Sequence, residues 1–96
     1  MSKYKISQRA GRDIVGIAKY IAKDSKRQAY IWLDNIYKTI EMLASHPALG
    51  HDRTDITPSP VKFWPQGSYF VIYQQTMPIE IVRVVSRYQD ILHLFK

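Results

Sequence analysis

Arg53, Lys62, Arg83, Arg87 and Tyr88 are the residues whose types could do chemistry together. Positive side chains beside an aromatic ring hold phosphates and stack on a base. A metal-free ribonuclease can use such a set. Lysine or arginine stabilises the developing phosphorane, while tyrosine or histidine moves protons. Arg53 and Lys62 flank the loop that enters a predicted strand. Arg83 lies inside an otherwise apolar run, Ile81-Val82-Arg83-Val84-Val85. An arginine there must reach water or find an anion, because an unpaired buried charge is costly. Arg83 and Arg87 share strand parity and project to one face if the strand continues that far. The competing reading is structural: Arg83 pairs with Glu80 or a helix carboxylate, and Tyr88 packs.

Other chemistries find less support. His46 and His51 share a loop with Asp52 and Asp55, and His93 lies near the end. Their spacing is not that of a helical two-histidine zinc site, and the chain has no cysteine to supply a thiolate. No serine sits in a glycine-flanked strand–turn–helix elbow. The 4 glycines are scattered, so no phosphate-cradling loop forms. No metal or cofactor is therefore expected. Among the aromatics, Trp32, Tyr69, Phe70 and Tyr73 read as core. Trp64 is the exception, since it lies between Phe63 and Pro65 and both rings do not fit one small core.

The elements that position these residues follow from periodicity. Tyr4–Ser7 is a short first strand, and Ser7 is a good N-cap. Ile14, Ile17, Ala18 and Ile21 fall at helical spacing over residues 8–23. Asp24-Ser25 breaks that helix and caps the next. Ala29, Trp32, Leu33, Ile36, Ile40, Leu43 and Ala44 form its apolar stripe. The short link predicts a helical hairpin, and His46-Pro47 ends it. Residues 51–60 read as an exposed loop. Val61–Pro65, Tyr69–Gln75 and Ile79–Ser86 are β-branched and aromatic runs, separated by Gln66-Gly67-Ser68 and Thr76-Met77-Pro78. Asp90–Phe95 reads as a short closing helix or a last extended segment. The order β-α-α-β-β-β predicts an α+β fold, with the hairpin packed on one face of a small antiparallel sheet.

The chain has 96 residues, one domain over 1–96, and 46% apolar residues, which excludes a disordered tail. The absence of cysteine suits a reducing cytoplasm. The opening Met1-Ser2-Lys3-Tyr4-Lys5 has no apolar run behind it and is not expected to be a signal peptide. No apolar run approaches the roughly 20 residues that span a bilayer. Lysine and arginine number 14 against 8 acids, a net charge of +6. That balance favours nucleic acid, ribosome or an acidic protein as partner.

In order along nearly the whole length, several segments resemble the ParE branch of the RelE/ParE toxin superfamily. They are Tyr4-Lys5-Ile6-Ser7 with Ala10 and Asp13-Ile14; Leu43-Ala44, His46-Pro47, Leu49-Gly50 and Arg53; Lys62-Phe63, Gln66-Gly67-Ser68 and Val71-Ile72-Tyr73; and Ile81–Val85 with Asp90-Ile91. The resemblance implies the toxin of a type II toxin–antitoxin pair of the plasmid-stabilisation type. A ParD-like antitoxin would hold it inactive in a hetero-oligomer, and the free toxin would poison DNA gyrase by binding rather than by an enzymatic reaction. Target-binding candidates are then Trp64, Arg83, Arg87 and Tyr88. The sister RelE branch cleaves mRNA on the ribosome. Arg87-Tyr88 resembles the arginine and tyrosine of that branch, whose lysine cluster is here reduced to Lys62. Ser86 stands where many ParE-like chains have histidine. A third expectation is a non-toxic module that only pairs with an antitoxin.

Overall fold

Ser7 is the hinge between the first strand and the first helix. Its side-chain oxygen accepts the Ala10 N–H at 3.0 Å, so one donor orphaned at the helix start is satisfied. The computed structural model describes residues 3–57, 59–88 and 91. It has strand β1 (Tyr4–Ile6), helix α1 (Gln8–Ala22) and helix α2 (Lys26–Ser45). Ser25 caps α2 by accepting the Gln28 N–H at 3.1 Å. A single 3-10 turn, Pro47–Leu49, follows. Strands β2 (His51–Asp52), β3 (Val61–Gln66), β4 (Tyr69–Gln74) and β5 (Ile79–Ser86) complete the order. Gly67 at φ 58° makes the turn between β3 and β4, a backbone conformation that glycine adopts without strain.

The five strands lie in the order β1-β5-β4-β3-β2. The fold is α+β, as the sequence predicts, with two differences in the sheet. β1 pairs parallel with β5, Tyr4 opposite Ile79 and Ile6 opposite Ile81, so the sheet is mixed. Parallel pairing needs a long connection, and here the helical hairpin and the other three strands all intervene. The predicted exposed loop also begins with a strand: His51 and Asp52 pair with Phe63 and Lys62. Two residues carry no readable alternation. Further along that loop Thr57 is buried, and Ile56 packs on the sheet.

The helices cover one face. Ala10 and Ile14 of α1 and Ile36, Ile40 and Leu43 of α2 pack on Val71, Tyr73, Ile79, Ile81 and Val84. Each such valine, leucine or isoleucine contributes about 1.5–3 kcal/mol on full burial. The other face carries a smaller cluster of Val61, Phe63, Ile72, Val85 and Ile91. Phe63 and Trp64 thus lie on opposite faces of β3, which is why neighbouring large rings fit. Of the predicted closing segment Asp90–Phe95, only Ile91 is among the described residues, and His93 lies outside them.

Tyr73 ties the helix exit to the sheet. Its hydroxyl donates to Pro47 O at 2.7 Å and accepts the Gly50 N–H at 2.8 Å. A Cβ on residue 50 would meet that hydroxyl at 2.5 Å, so only glycine fits. Trp32 meets Tyr69 edge-on, centroids 5.5 Å apart. Its buried indole N–H has no hydrogen-bond partner among the described residues.

Candidate functional site

β5 is irregular where Arg83 sits. Its register against β4 shifts between Tyr73–Ile81 and Ile72–Arg83, which leaves Val82 as an extra residue and bends the strand. β1 covers β5 only as far as Ile81. Beyond it α1 takes over. Ser7 donates from its N–H to Ile81 O at 2.9 Å and from its hydroxyl to Val82 O at 3.0 Å. Asp13 Oδ2 accepts the Val84 N–H at 3.0 Å. Arg83 closes the same group, its Nε donating to Asp13 Oδ2 at 2.8 Å and its Nη2 to Oδ1 at 3.3 Å. Arg83 has therefore found a helix carboxylate, one of the two partners the sequence allowed, and not Glu80. Asp13 carries no site signal in the sequence beyond being the only acid in α1.

The other cations are also engaged. Arg53 grips Asp55 with Nε at 3.0 Å and Nη2 at 2.9 Å. This paired hydrogen bond raises the guanidinium above its ordinary value and holds the Asp55 carboxyl below the usual carboxylate range. Lys62 donates to Asp52, its cross-strand partner, at 3.2 Å. Trp64 is half-buried against the helix-side core. Its ring is parallel to that of His51, with centroids 6.4 Å apart.

Arg87 and Tyr88 stand apart from these. β5 ends at Ser86, so strand parity does not extend to Arg87, and the expected shared face with Arg83 is not formed. Arg87 turns to the β3–β4 turn instead. Its N–H donates to Ser68 O at 2.8 Å and its Nη1 to Gly67 O at 3.2 Å. Its guanidinium lies 5.4 Å from the centre of the Phe70 ring, on the face away from the helices. Tyr88 is 85% exposed, and its N–H donates to Ser86 Oγ at 3.2 Å.

The five residues fall into three places. Arg53 and Lys62 sit at the β2–β3 edge, Arg83 against α1, and Arg87 with Tyr88 at the β5 exit. Lys62 pairs with Tyr73, four residues along β4 from Tyr69, the partner of Ser86. That is about 13 Å along the sheet. Among the described residues no group of three or more histidine, cysteine, aspartate or glutamate side chains could hold a metal ion. None of their helices is long and apolar enough to cross a membrane.

The fold and the chain match known proteins. A family model described as "ParE toxin of type II toxin-antitoxin system, parDE" matches residues 4–91. Toxin ParE1 of Caulobacter vibrioides is 30% identical over 88 residues, covering 91% of each chain. A solved structure titled "Chromosomal ParDE TA system from P. aeruginosa" superposes with a TM-score of 0.72 at 17% identity. That match covers 86% of this chain and 92% of that one, and it bears on the fold alone. With the family model spanning nearly every described residue, and with the two-helix, five-strand architecture that it accompanies, the chain belongs to the ParE toxin family of type II toxin–antitoxin systems.

Proposed function

We propose that this chain acts in the cytoplasm, where a ParD-like antitoxin neutralises it, and that the free toxin binds DNA gyrase and blocks replication without catalysing a reaction. One observation carries the choice of binding over cleavage. Arg53, Lys62 and Arg83, three of the four cations that a ribonuclease reading needs, are each held by their own carboxylate. They also do not gather around Tyr88. A cation satisfied by an internal carboxylate is poorly disposed to stabilise charge on a phosphorane. The exposed pair at the β5 exit, Arg87 and Tyr88, suits recognition of a protein surface.

An antitoxin has a suitable seat on the helical hairpin. A groove of about 290 Å³ is lined by Ala18, Ala22, Ala29, Tyr30 and Leu33, with Lys19 and Lys26 at its rim. An acidic amphipathic helix would bury its apolar side there and meet both lysines.

The test uses purified toxin in two reactions. In a gyrase supercoiling assay the expected result is inhibition with accumulation of cleaved DNA. In an active translation extract the expected result is intact mRNA. Codon-positioned cuts with normal supercoiling would transfer the function to ribosome-dependent mRNA cleavage. Full activity of both systems at saturating toxin, with harmless expression, would leave a module that only pairs with its antitoxin.

A further inference from the structure

The positive charge of this chain is not spread evenly. On α1 and its αR C-cap, Arg9, Arg12, Lys19 and Lys23 lie at spacings of three, seven and four residues and are all exposed. At 100° per residue they fall within an arc of about 80°, opposite the face that Ala10 and Ile14 bury. The stripe is about 21 Å long. Lys26 of α2 extends it, since it lines the same groove as Lys19. Among the described residues, Arg12, Lys19, Lys23 and Lys26 make no ion pair, and Arg9 has one long contact of 3.9 Å to Asp13.

Helix stability explains only part of this placement: Lys19, in the last turn of α1, and Lys23, at its C-cap, suit the dipole, and the remaining cations do not. Neither helix has an acid in its first turn. Arg9 and Lys26 occupy those turns, where the dipole disfavours cations. The only acid in α1, Asp13, is occupied by Arg83 and Val84. Asp24, in the turn between the helices, is the nearest opposing charge along the chain. Gly16 lies mid-stripe with nothing within 4 Å of a Cβ position, so a ligand backbone can approach the helix closely. Tyr20, 68% exposed, borders the stripe with a hydroxyl.

We infer that this face of α1 binds the phosphate backbone of duplex DNA without reading sequence. A row of cations about 21 Å long spans about six steps of a duplex rising 3.4 Å per base. Arginine, lysine and tyrosine are side chains that contact phosphates. A protein partner would need apolar anchors, and the groove that supplies them meets the stripe only at Lys19 and Lys26, leaving Arg9, Arg12 and Lys23 outside it. The inference goes beyond gyrase inhibition and does not require it. Gyrase is a DNA-bound target, so the stripe would raise the toxin's local concentration there.

The experiment is fluorescence anisotropy of a labelled duplex of about 20 base pairs, titrated with toxin across salt without gyrase. Four engaged phosphates predict a slope of log K against log salt of about −3.6, a loss of about 150-fold between about 50 and 200 mM. Arg12→Gln with Lys23→Gln should reduce the slope by about 1.8. Lys5→Gln with Lys38→Gln, which removes the same net charge elsewhere, should leave it unchanged. Equal loss in both variants would reduce the effect to net charge and overturn the inference. So would absence of salt-dependent binding. Tighter binding of a polyglutamate peptide than of DNA, lost only in the stripe variant, would assign the face to an acidic protein. Because gyrase is absent, none of these outcomes bears on the supercoiling result.

Discussion

Asp13 on α1 holds Arg83 on β5 across 70 residues of chain, with Oδ2 accepting from Nε at 2.8 Å and Oδ1 from Nη2 at 3.3 Å. The same carboxylate accepts the Val84 N–H, so one aspartate neutralises a cation and closes a sheet edge. Both side chains are largely buried, 13% exposed for Asp13 and 17% for Arg83. Removing Asp13 leaves a guanidinium and an N–H uncompensated. Removing Arg83 leaves the carboxylate with its N–H partner. Asp13→Ala should therefore destabilise the fold by about 2–4 kcal/mol, and Arg83→Met by less than half of that. Urea unfolding of the two variants measures the order. A larger loss for Arg83→Met would reject this account of the pair.

Ser7 serves two elements with one hydroxyl, accepting from Ala10 N–H and donating to Val82 O. Ser7→Ala should cost about 1–2 kcal/mol, the upper end of a single cap loss, because the β5 contact goes as well. Ser7→Gly should cost less for the cap and as much for the β5 contact. If Ser7→Ala unfolds at the wild-type urea midpoint, neither bond contributes.

Gly50 and Tyr73 should tolerate change very differently. Tyr73→Phe keeps the ring and loses both hydroxyl bonds, leaving Gly50 N–H buried; about 1–3 kcal/mol is expected. Gly50→Ala places a methyl 2.5 Å from the hydroxyl and 2.8 Å from Lys62 Cβ, so it should cost more than Tyr73→Phe. In Tyr73→Phe the hydroxyl is gone, and the added cost of Gly50→Ala should shrink. Thermal unfolding of the double variant reads this coupling, and strict additivity would count against the contact.

Burial pushes the Tyr73 phenol above its ordinary value, against the pull of the Gly50 N–H. Burial also raises Tyr69, with a contribution from Tyr20. A group that ionises less readily when folded stabilises the protein below its unfolded value, about 10 for tyrosine. That contribution is lost as pH rises through the folded values. Stability should hold to about pH 9.5 and decline above about pH 10. Tyr73→Phe should flatten the decline without abolishing it, since Tyr69 remains. Urea midpoints across that range decide the matter; a decline in Tyr73→Phe as steep as in wild type would remove Tyr73 from the explanation.

Tyr88 separates function from folding because it is almost fully exposed. On the proposed gyrase reading, Tyr88→Ala should leave the unfolding midpoint unchanged and weaken inhibition about tenfold, equivalent to about 1.4 kcal/mol. Arg87→Ala loses its contacts to Gly67 O and the Phe70 ring and should lower inhibition together with a small loss of stability. Inhibition unaffected by either change would move the gyrase contact away from the β5 exit.

Much of this protein is local in origin. The caps Ser7 and Ser25, the apolar stripe of α2 and the turn at Gly67 are specified by neighbours a few residues apart, and the sequence determined them by itself. The sequence also set the choice facing Arg83, because its apolar flanks leave the cation only water or an anion. What the sequence could not decide was which carboxylate would answer. Asp13 is chosen only when α1 lies along the part of β5 that β1 leaves uncovered. The parallel β1–β5 pairing, the seat of the Tyr73 hydroxyl against Gly50, and the separation of Arg53 and Lys62 from Arg87 and Tyr88 belong to the same class. Each joins residues with no short-range periodicity between them, so only the assembled sheet and hairpin determine which meet.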